Sequence, residues 1–153
     1  MKKKAAGVLL MNNLLRFIEI CKQNGIILAY LFGSQARNGL DVINGKKIVI
    51  KDPLTDLDLG IILDDENRLK GSMYKLYSTL YNQLDELFLP LRLDLVFLQE
   101  THSVFQFEAI KGICLYAVSE DIQEKYEHNI LARAADFRWV LEQYYKEKLE
   151  ELG

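Results

Sequence analysis

The sequence is short of the residues that build metal knots, membrane spans and nucleic-acid stripes. Only two cysteines and two histidines occur in 153 residues. Cys21 and Cys114 lie in apolar stretches without metal-ligand spacing, so they read as core thiols of a protein kept in a reducing compartment, which places it in the cytoplasm. His102 and His128 have no partner at metal-site spacing and read as surface or capping residues. Lysine and arginine form no long stripe and the net charge is −3. That removes the electrostatic footprint of tight, sequence-independent binding to nucleic acid, and no nucleic-acid substrate is expected. Long apolar runs are missing too. Met1-Lys2-Lys3-Lys4 followed by Ala5 to Met11 imitates the start of a signal peptide, but Asn12, Asn13 and Arg16 interrupt it, and no other segment is long enough to cross a bilayer. Internal repeats, low-complexity tracts and an interdomain linker are also lacking, so one domain over residues 1–153 is expected.

What the chain does have is a core: half of its residues are hydrophobic, enough for one domain to fold without staples. Leu14, Leu15, Ile18 and Cys21 recur at helical spacing, predicting a first helix from about Ala5 to Asn24 that stops at Gly25. The run Ile26 to Phe32 predicts a strand buried on both faces, ending abruptly at Gly33-Ser34. A short helix can start over Ser34 to Arg37, which leaves backbone N–H groups and a hydroxyl at the strand's end. Asn44-Gly45 separates Val42-Ile43 from Ile48-Val49-Ile50, the pattern of a β-hairpin within residues 40–53.

Thr55 to Leu63 predicts a second strand with Asp56, Asp58 and Gly60 on one face. A helix over Ser72 to Phe88 follows. Leu91 to Leu98 predicts a third strand, with Arg92, Asp94 and Val96 on one face. A helix over Val104 to Lys111, a strand over Ile113 to Val118 and a final helix capped by Ser119 and reaching Leu152 complete the chain. The expected class is α/β in the α+β sense: a mixed sheet flanked by helices, with an extra hairpin and a long C-terminal helix over residues 119–152.

Asp56 and Asp58, two residues apart on a strand, leave the same face with α-carbons roughly 6.6 Å apart at about 3.3 Å per residue. Paired Mg²⁺ ions in phosphoryl-transfer sites sit about 3.5–4 Å apart and take carboxylate oxygens at about 2.0–2.1 Å, so Asp94 on a neighbouring strand can complete such a set. Either piece alone has a bland reading, since Asp-x-Asp is usually a solvated strand end and Gly-Ser usually a turn. Together they point further, because three carboxylates on one face repel one another unless cations neutralise them.

Leu31-Phe32-Gly33-Ser34-Gln35-Ala36-Arg37, Thr55-Asp56-Leu57-Asp58-Leu59 and Leu93-Asp94-Leu95-Val96 resemble the minimal nucleotidyltransferases of the DNA polymerase beta superfamily, over most of the chain and in the family's order of elements. The resemblance implies a polymerase-beta-like nucleotidyltransferase fold, Gly33 and Ser34 on the nucleotide's phosphates, and Asp56, Asp58 and Asp94 as catalytic ligands of two Mg²⁺ ions, with ATP as substrate. On physical grounds Asp94 is the best candidate to take the attacking hydroxyl's proton. Arg37 either meets a phosphate or anchors the loop by an ion pair. Two features depart from the family: the connection from Gly33-Ser34 to Asp56 is lengthened by the expected hairpin, and Asn38 stands where a glycine is usual. The hairpin either covers the nucleotide, docks a partner or is harmless decoration.

The chain is expected to lack a second, acceptor-binding domain. Its size resembles the stand-alone antitoxins paired with HEPN-domain ribonuclease toxins, which implies transfer of AMP from ATP to a tyrosine hydroxyl of such a partner. Leu131, Ala134, Ala135, Phe137, Trp139, Val140 and Tyr144 on the final helix suit closure of the chain's own core, a docking surface or a homo-oligomer contact. Two other readings stand beside the leading one: a binding antitoxin that acts by contact alone, and an enzyme modifying a small molecule.

Overall fold

The computed structural model describes residues 2–66 and 71–152, with side chains from residue 13 onward. Helix α1 spans Lys2–Gln23 and ends at Gly25, whose φ of 68° suits a residue without a side chain. Its buried stripe runs through Phe17, Ile20 and Cys21, one position round from the expected one, so that Leu15 is exposed. Strand β1, Ile26–Phe32, is buried along nearly its whole length, as a strand covered on both faces must be. Strands β2, Asp56–Leu63, β3, Arg92–Phe97, and β4, Ile113–Ala117, join it in one sheet of order β3-β2-β1-β4. β1 is antiparallel to both β2 and β4, and β2 is parallel to β3. Parallel neighbours need a crossover, and α3, Met73–Leu84, supplies it together with a 3₁₀ turn over Asp85–Phe88.

The hairpin expected within residues 40–53 is not there. Helix α2 covers Ala36–Ile43, and residues 46–55 form an irregular loop with no strand among them. Ala36, Gly39, Val42 and Ile43 are its buried residues, a helical rather than an alternating pattern. Asn44-Gly45 ends this helix instead of turning a hairpin. Gly45 has φ 82°, its N–H reaches the Val42 carbonyl and the Lys46 N–H reaches the Asp41 carbonyl, both at 2.9 Å. That is the Schellman arrangement, which needs a left-handed residue just as an Asn-Gly hairpin does. The same dipeptide serves either end, and the apolar spacing before it decides. Gly39 lies so close to the sheet that a Cβ there would stand 2.7 Å from Leu57 Cδ1. The site loop is thereby held against β1 and β2.

Each face of the sheet has its own core. Phe17, Cys21, Leu31, Leu57, Leu59, Leu93, Leu95 and Phe88 pack on the side of α1, α2 and α3. Leu28, Tyr30, Phe32, Leu98 and Ala109 pack on the other, beneath α4, Ser103–Ile110, and the first turns of α5, Glu120–Leu152. His102 caps α4, its Nδ1 accepting from Val104 N–H at 3.2 Å. Ser119 caps α5, its hydroxyl accepting from Ile122 N–H at 3.2 Å, a bond that satisfies one orphan donor of the first turn. Gln106, the one buried polar residue among those described, donates to Thr101 O and accepts from the Tyr126 hydroxyl.

The distal part of α5 leaves the body. Ile130 is the last residue it buries, and every residue from Arg138 to Leu152 is exposed, with Arg138 and Leu141 still lining a cleft beside Val104 and Phe107 of α4. Ala134 and Phe137 are half-buried, whereas Leu131, Trp139, Val140 and Tyr144 are between 49% and 61% exposed. Most of the apolar residues on this helix therefore do not close the chain's own core. No helix among the described residues is long and apolar enough to cross a membrane.

Candidate active site

Parallel pairing of β2 with β3 decides the site. The register sets Asp58 beside Asp94 and Asp56 beside Arg92, while antiparallel pairing sets Phe32, the last residue of β1, opposite Asp58. The chain leaves the sheet at that point. Gly33 turns with φ 76°, and a Cβ on it would lie 2.5 Å from Asp58 Oδ2. Only glycine brings the backbone this near to the carboxylate without strain. Gly33 and Ser34 are exposed, so the turn and the carboxylates share one open surface. The alternation of β2 buries Leu57 and Leu59 completely and leaves Asp56 and Asp58 on the opposite, half-buried face.

The electrostatics mark Asp58 as the strained member. Burial, the charge of Asp94, a hydrogen bond shared with Asp94 and the charge of Asp56 together push its carboxyl up to about 6. Desolvation and like charges both disfavour the ionised form. Tyr77, on α3, is also shifted upward, first by burial and then by the Asp94 charge. Arg92 donates from Nε to Asp56 Oδ1 at 2.5 Å and from Nη2 to the Leu54 carbonyl at 3.2 Å, so the third strand brings a cation as well as a carboxylate.

A group of three or more acidic, histidine or cysteine side chains already set to hold a metal does not occur among the described residues. Within the acidic cluster Asp58 lies beside Asp94, and Asp56 is engaged by Arg92. The donor set is nonetheless all carboxylate oxygen, the chemistry that hard divalent cations take, and the raised Asp58 marks negative charge left uncompensated. In chemical type Asp58 and Asp94 would suit a cation between them, and Asp56 would add its free oxygen, or both oxygens once Arg92 leaves. Arg37 sits on α2 with a long contact to Asp41, 3.9 Å, and its side chain is 78% exposed. That contact stays within one helix, four residues apart.

Sequence reasoning assigned no role to Arg92 or Tyr77. Arg92 was legible in principle, since a residue two before Asp94 on a parallel neighbour must pair with a residue two before Asp58.

The uncompensated charge has a thermodynamic consequence. Folded Asp58 titrates at about 6 against an ordinary value of 3.8, so between those values the folded state binds more protons than the unfolded one. Stability of the cation-free protein is then expected to fall as pH rises from about 4 to about 6 through this group. Thermal melting across that window should show a decline that an Asp58→Asn variant flattens. Equal slopes in both proteins would remove Asp58 as the cause.

A sequence profile of the family described as Polymerase beta, Nucleotidyltransferase matches residues 16–121, a stretch running from α1 through the loop and all three aspartates to the start of α5. This chain is a member of that family. Solved structures of the same fold include three from toxin–antitoxin systems. A chain from a tyrosine-to-alanine mutant of the toxin–antitoxin pair MntA-HpeT is 16% identical, with a TM-score of 0.57, 90% of this chain and 95% of that one being covered. A chain from a toxin–antitoxin with AMP-PNP is 17% identical, with a TM-score of 0.54 and coverage of 92% and 98%. A chain from the tri-AMPylated Shewanella oneidensis HEPN toxin in complex with MNT antitoxin is 17% identical, with a TM-score of 0.51 and coverage of 94% and 98%. No protein of curated description matches the chain. Membership makes the architecture that of a polymerase-beta-like nucleotidyltransferase, an α+β fold with a mixed sheet, and it makes nucleotidyl transfer the family's chemistry.

Proposed function

We propose that this nucleotidyltransferase works as a single unit that transfers AMP from ATP to a hydroxyl of a protein partner of the HEPN-toxin kind, and thereby acts as an antitoxin. One observation carries the proposal: Gly33, Asp58 and Asp94 meet at the open end of the sheet. In this reading Gly33 and Ser34 bind the nucleotide's phosphates through the backbone and the hydroxyl, in the way turns at strand ends form anion cradles. Arg37 lies one helical turn further on and meets the outer phosphates if its contact with Asp41 opens. Asp56, Asp58 and Asp94 hold two Mg²⁺ ions, which neutralise phosphate charge and lower the hydroxyl's pKa.

Asp94 takes the proton of the attacking hydroxyl. The hydroxyl oxygen bonds to the α-phosphorus, the bond from that phosphorus to the pyrophosphate oxygen breaks, and pyrophosphate leaves with the electron pair. The remaining work of the chain is alignment, with Gly33 fixing the phosphates against Asp58. The likeness to structures described as AMPylated HEPN toxin with MNT antitoxin and as toxin–antitoxin with AMP-PNP supports both the donor and the kind of acceptor. The distal half of α5 supports an acceptor outside this chain. A free helix of that length is marginal in water, and Trp139, Tyr145, Leu149 and Leu152, all at least 61% exposed, offer a partner apolar area. The setting that suits this partnership is the cytoplasm.

A binding antitoxin acting by contact alone is favoured by one observation, the engagement of Asp56 by Arg92. Incubation with Mg²⁺, labelled ATP and the product of the neighbouring gene, beside an Asp58→Ala control, separates the two. Label on the partner with the native protein only is the expected result. Suppression of the partner by both proteins, without label, contradicts transfer.

A further inference from the structure

We propose that Arg92 is a positioning residue that holds Asp56 while the site lacks cations and passes to the nucleotide's phosphates when cations take that carboxylate. The inference rests on the reading of the site as one for nucleotidyl transfer. Asp56 and Arg92 are register partners on parallel strands, and Arg92 Nε donates to Asp56 Oδ1. Arg92 takes Oδ1, so while the contact stands Asp56 offers cations mainly its other oxygen and competes for them with a fixed positive charge beside it. Arg92 thus supplies the neutralising charge that Asp58 lacks.

The contact is also built to open. The Arg92 side chain is 61% exposed and that of Asp56 39%, so the pair lies at the surface, where such bridges contribute little to stability. Among the described residues its other hydrogen bond goes to the Leu54 carbonyl at 3.2 Å, on the loop just before β2. A guanidinium carries five N–H donors, more than these two contacts use, and its planar fork matches phosphate oxygens two at a time.

The topology sets the anion within reach. Because Phe32 is opposite Asp58, the chain passes into Gly33 and Ser34 beside the next level of the sheet, the level of Asp56 and Arg92. β1 and β3 flank β2, roughly 10 Å apart at about 4.8 Å per strand. A triphosphate cradled on the β1 side and an arginine reaching from the β3 side can meet over β2.

The exchange makes a prediction of opposite signs. In an Arg92→Gln variant, Mn²⁺ alone, followed by electron paramagnetic resonance, should bind about three- to tenfold tighter, because Asp56 is released. A non-hydrolysable ATP analogue with Mn²⁺, followed by calorimetry, should bind about tenfold weaker, because the phosphates lose a charged partner. Arg92→Lys should recover part of the analogue binding, since it keeps the charge but loses the fork. In an Asp56→Asn background, Arg92→Gln should no longer change Mn²⁺ binding. A purely structural Arg92 would weaken both ligands together in Arg92→Gln, and that result overturns the inference, as does a gain in Mn²⁺ binding that persists undiminished beside Asp56→Asn. If the native protein binds neither Mn²⁺ nor the analogue, the reading of the site fails and the inference with it. Native binding with same-direction changes fails the inference alone.

Discussion

Asp58→Asn is expected to lower nucleotidyl transfer by about a thousandfold or more, the scale of losing a preorganised electrostatic group, while leaving the cation-free protein at least as stable as the native one. The two effects share a cause. Asp58 is held beside Asp94 and near Asp56, and burial and repulsion raise its carboxyl to about 6. Asparagine keeps the shape that Gly33 packs against and can still hydrogen-bond Asp94, yet it adds no negative charge. The native carboxylate therefore costs stability above its pKa, a cost that a bound cation would offset. Sites that sacrifice stability for function respond to neutralisation in this way. Turnover with labelled ATP and thermal melting at pH 7.5 without divalent cations test the pair of effects. Lower stability together with lost activity would make Asp58 a structural residue instead.

Gly33→Ala is the second large effect, and it acts through geometry. The added methyl would stand 2.5 Å from Asp58 Oδ2, far inside contact distance, and the backbone at φ 76° disfavours any residue with a Cβ by about 1–2 kcal/mol. Either the turn lifts off the sheet or the carboxylate swings away. A displacement of about 1 Å at a reacting centre lowers kcat/KM by about a hundredfold, so a loss of that order is expected, together with a lower melting temperature. Activity and melting temperature near native values would mean that the Gly33 turn does not set the distance between phosphate and carboxylate.

How much of this was legible in the sequence depended on what each pattern constrains. Period-two alternation fixed which residues of β2 and β3 share a face, and the parallel register then brought Asp58 to Asp94 without further information. The uninterrupted apolar run Ile26 to Phe32 identified a central strand, and its sharp end identified the turn. Asn44-Gly45 misled because positive φ is required both in a tight hairpin and at a helix C-terminus. The buried spacing of Ala36, Gly39, Val42 and Ile43 held the answer, but Gly39 conceals it by carrying no apolar side chain. The distal half of α5 was ambiguous for a different reason. Apolar residues on a helix report that something covers them, not which chain does. The same register makes Arg92 a neighbour of Asp56, but that its guanidinium takes the carboxylate is a matter of side-chain geometry, which alternation does not encode.

The Arg92 contact also bears on the choice between enzyme and binder. A site whose carboxylate is held by an internal cation can pass for a vestige in the absence of nucleotide, yet the same contact lowers the repulsion of an empty acidic cluster. Both readings share the fold and the family. They part at the α-phosphorus.

The most direct test of nucleotidyl transfer uses two preparations of ATP, labelled on the α- or on the γ-phosphate, with Mg²⁺ and the partner protein. The account predicts α-label joined covalently to a partner hydroxyl and γ-label released as pyrophosphate, both abolished by Asp58→Asn. Label from the γ-phosphate on the partner, or no covalent label while the partner is still neutralised, would contradict it.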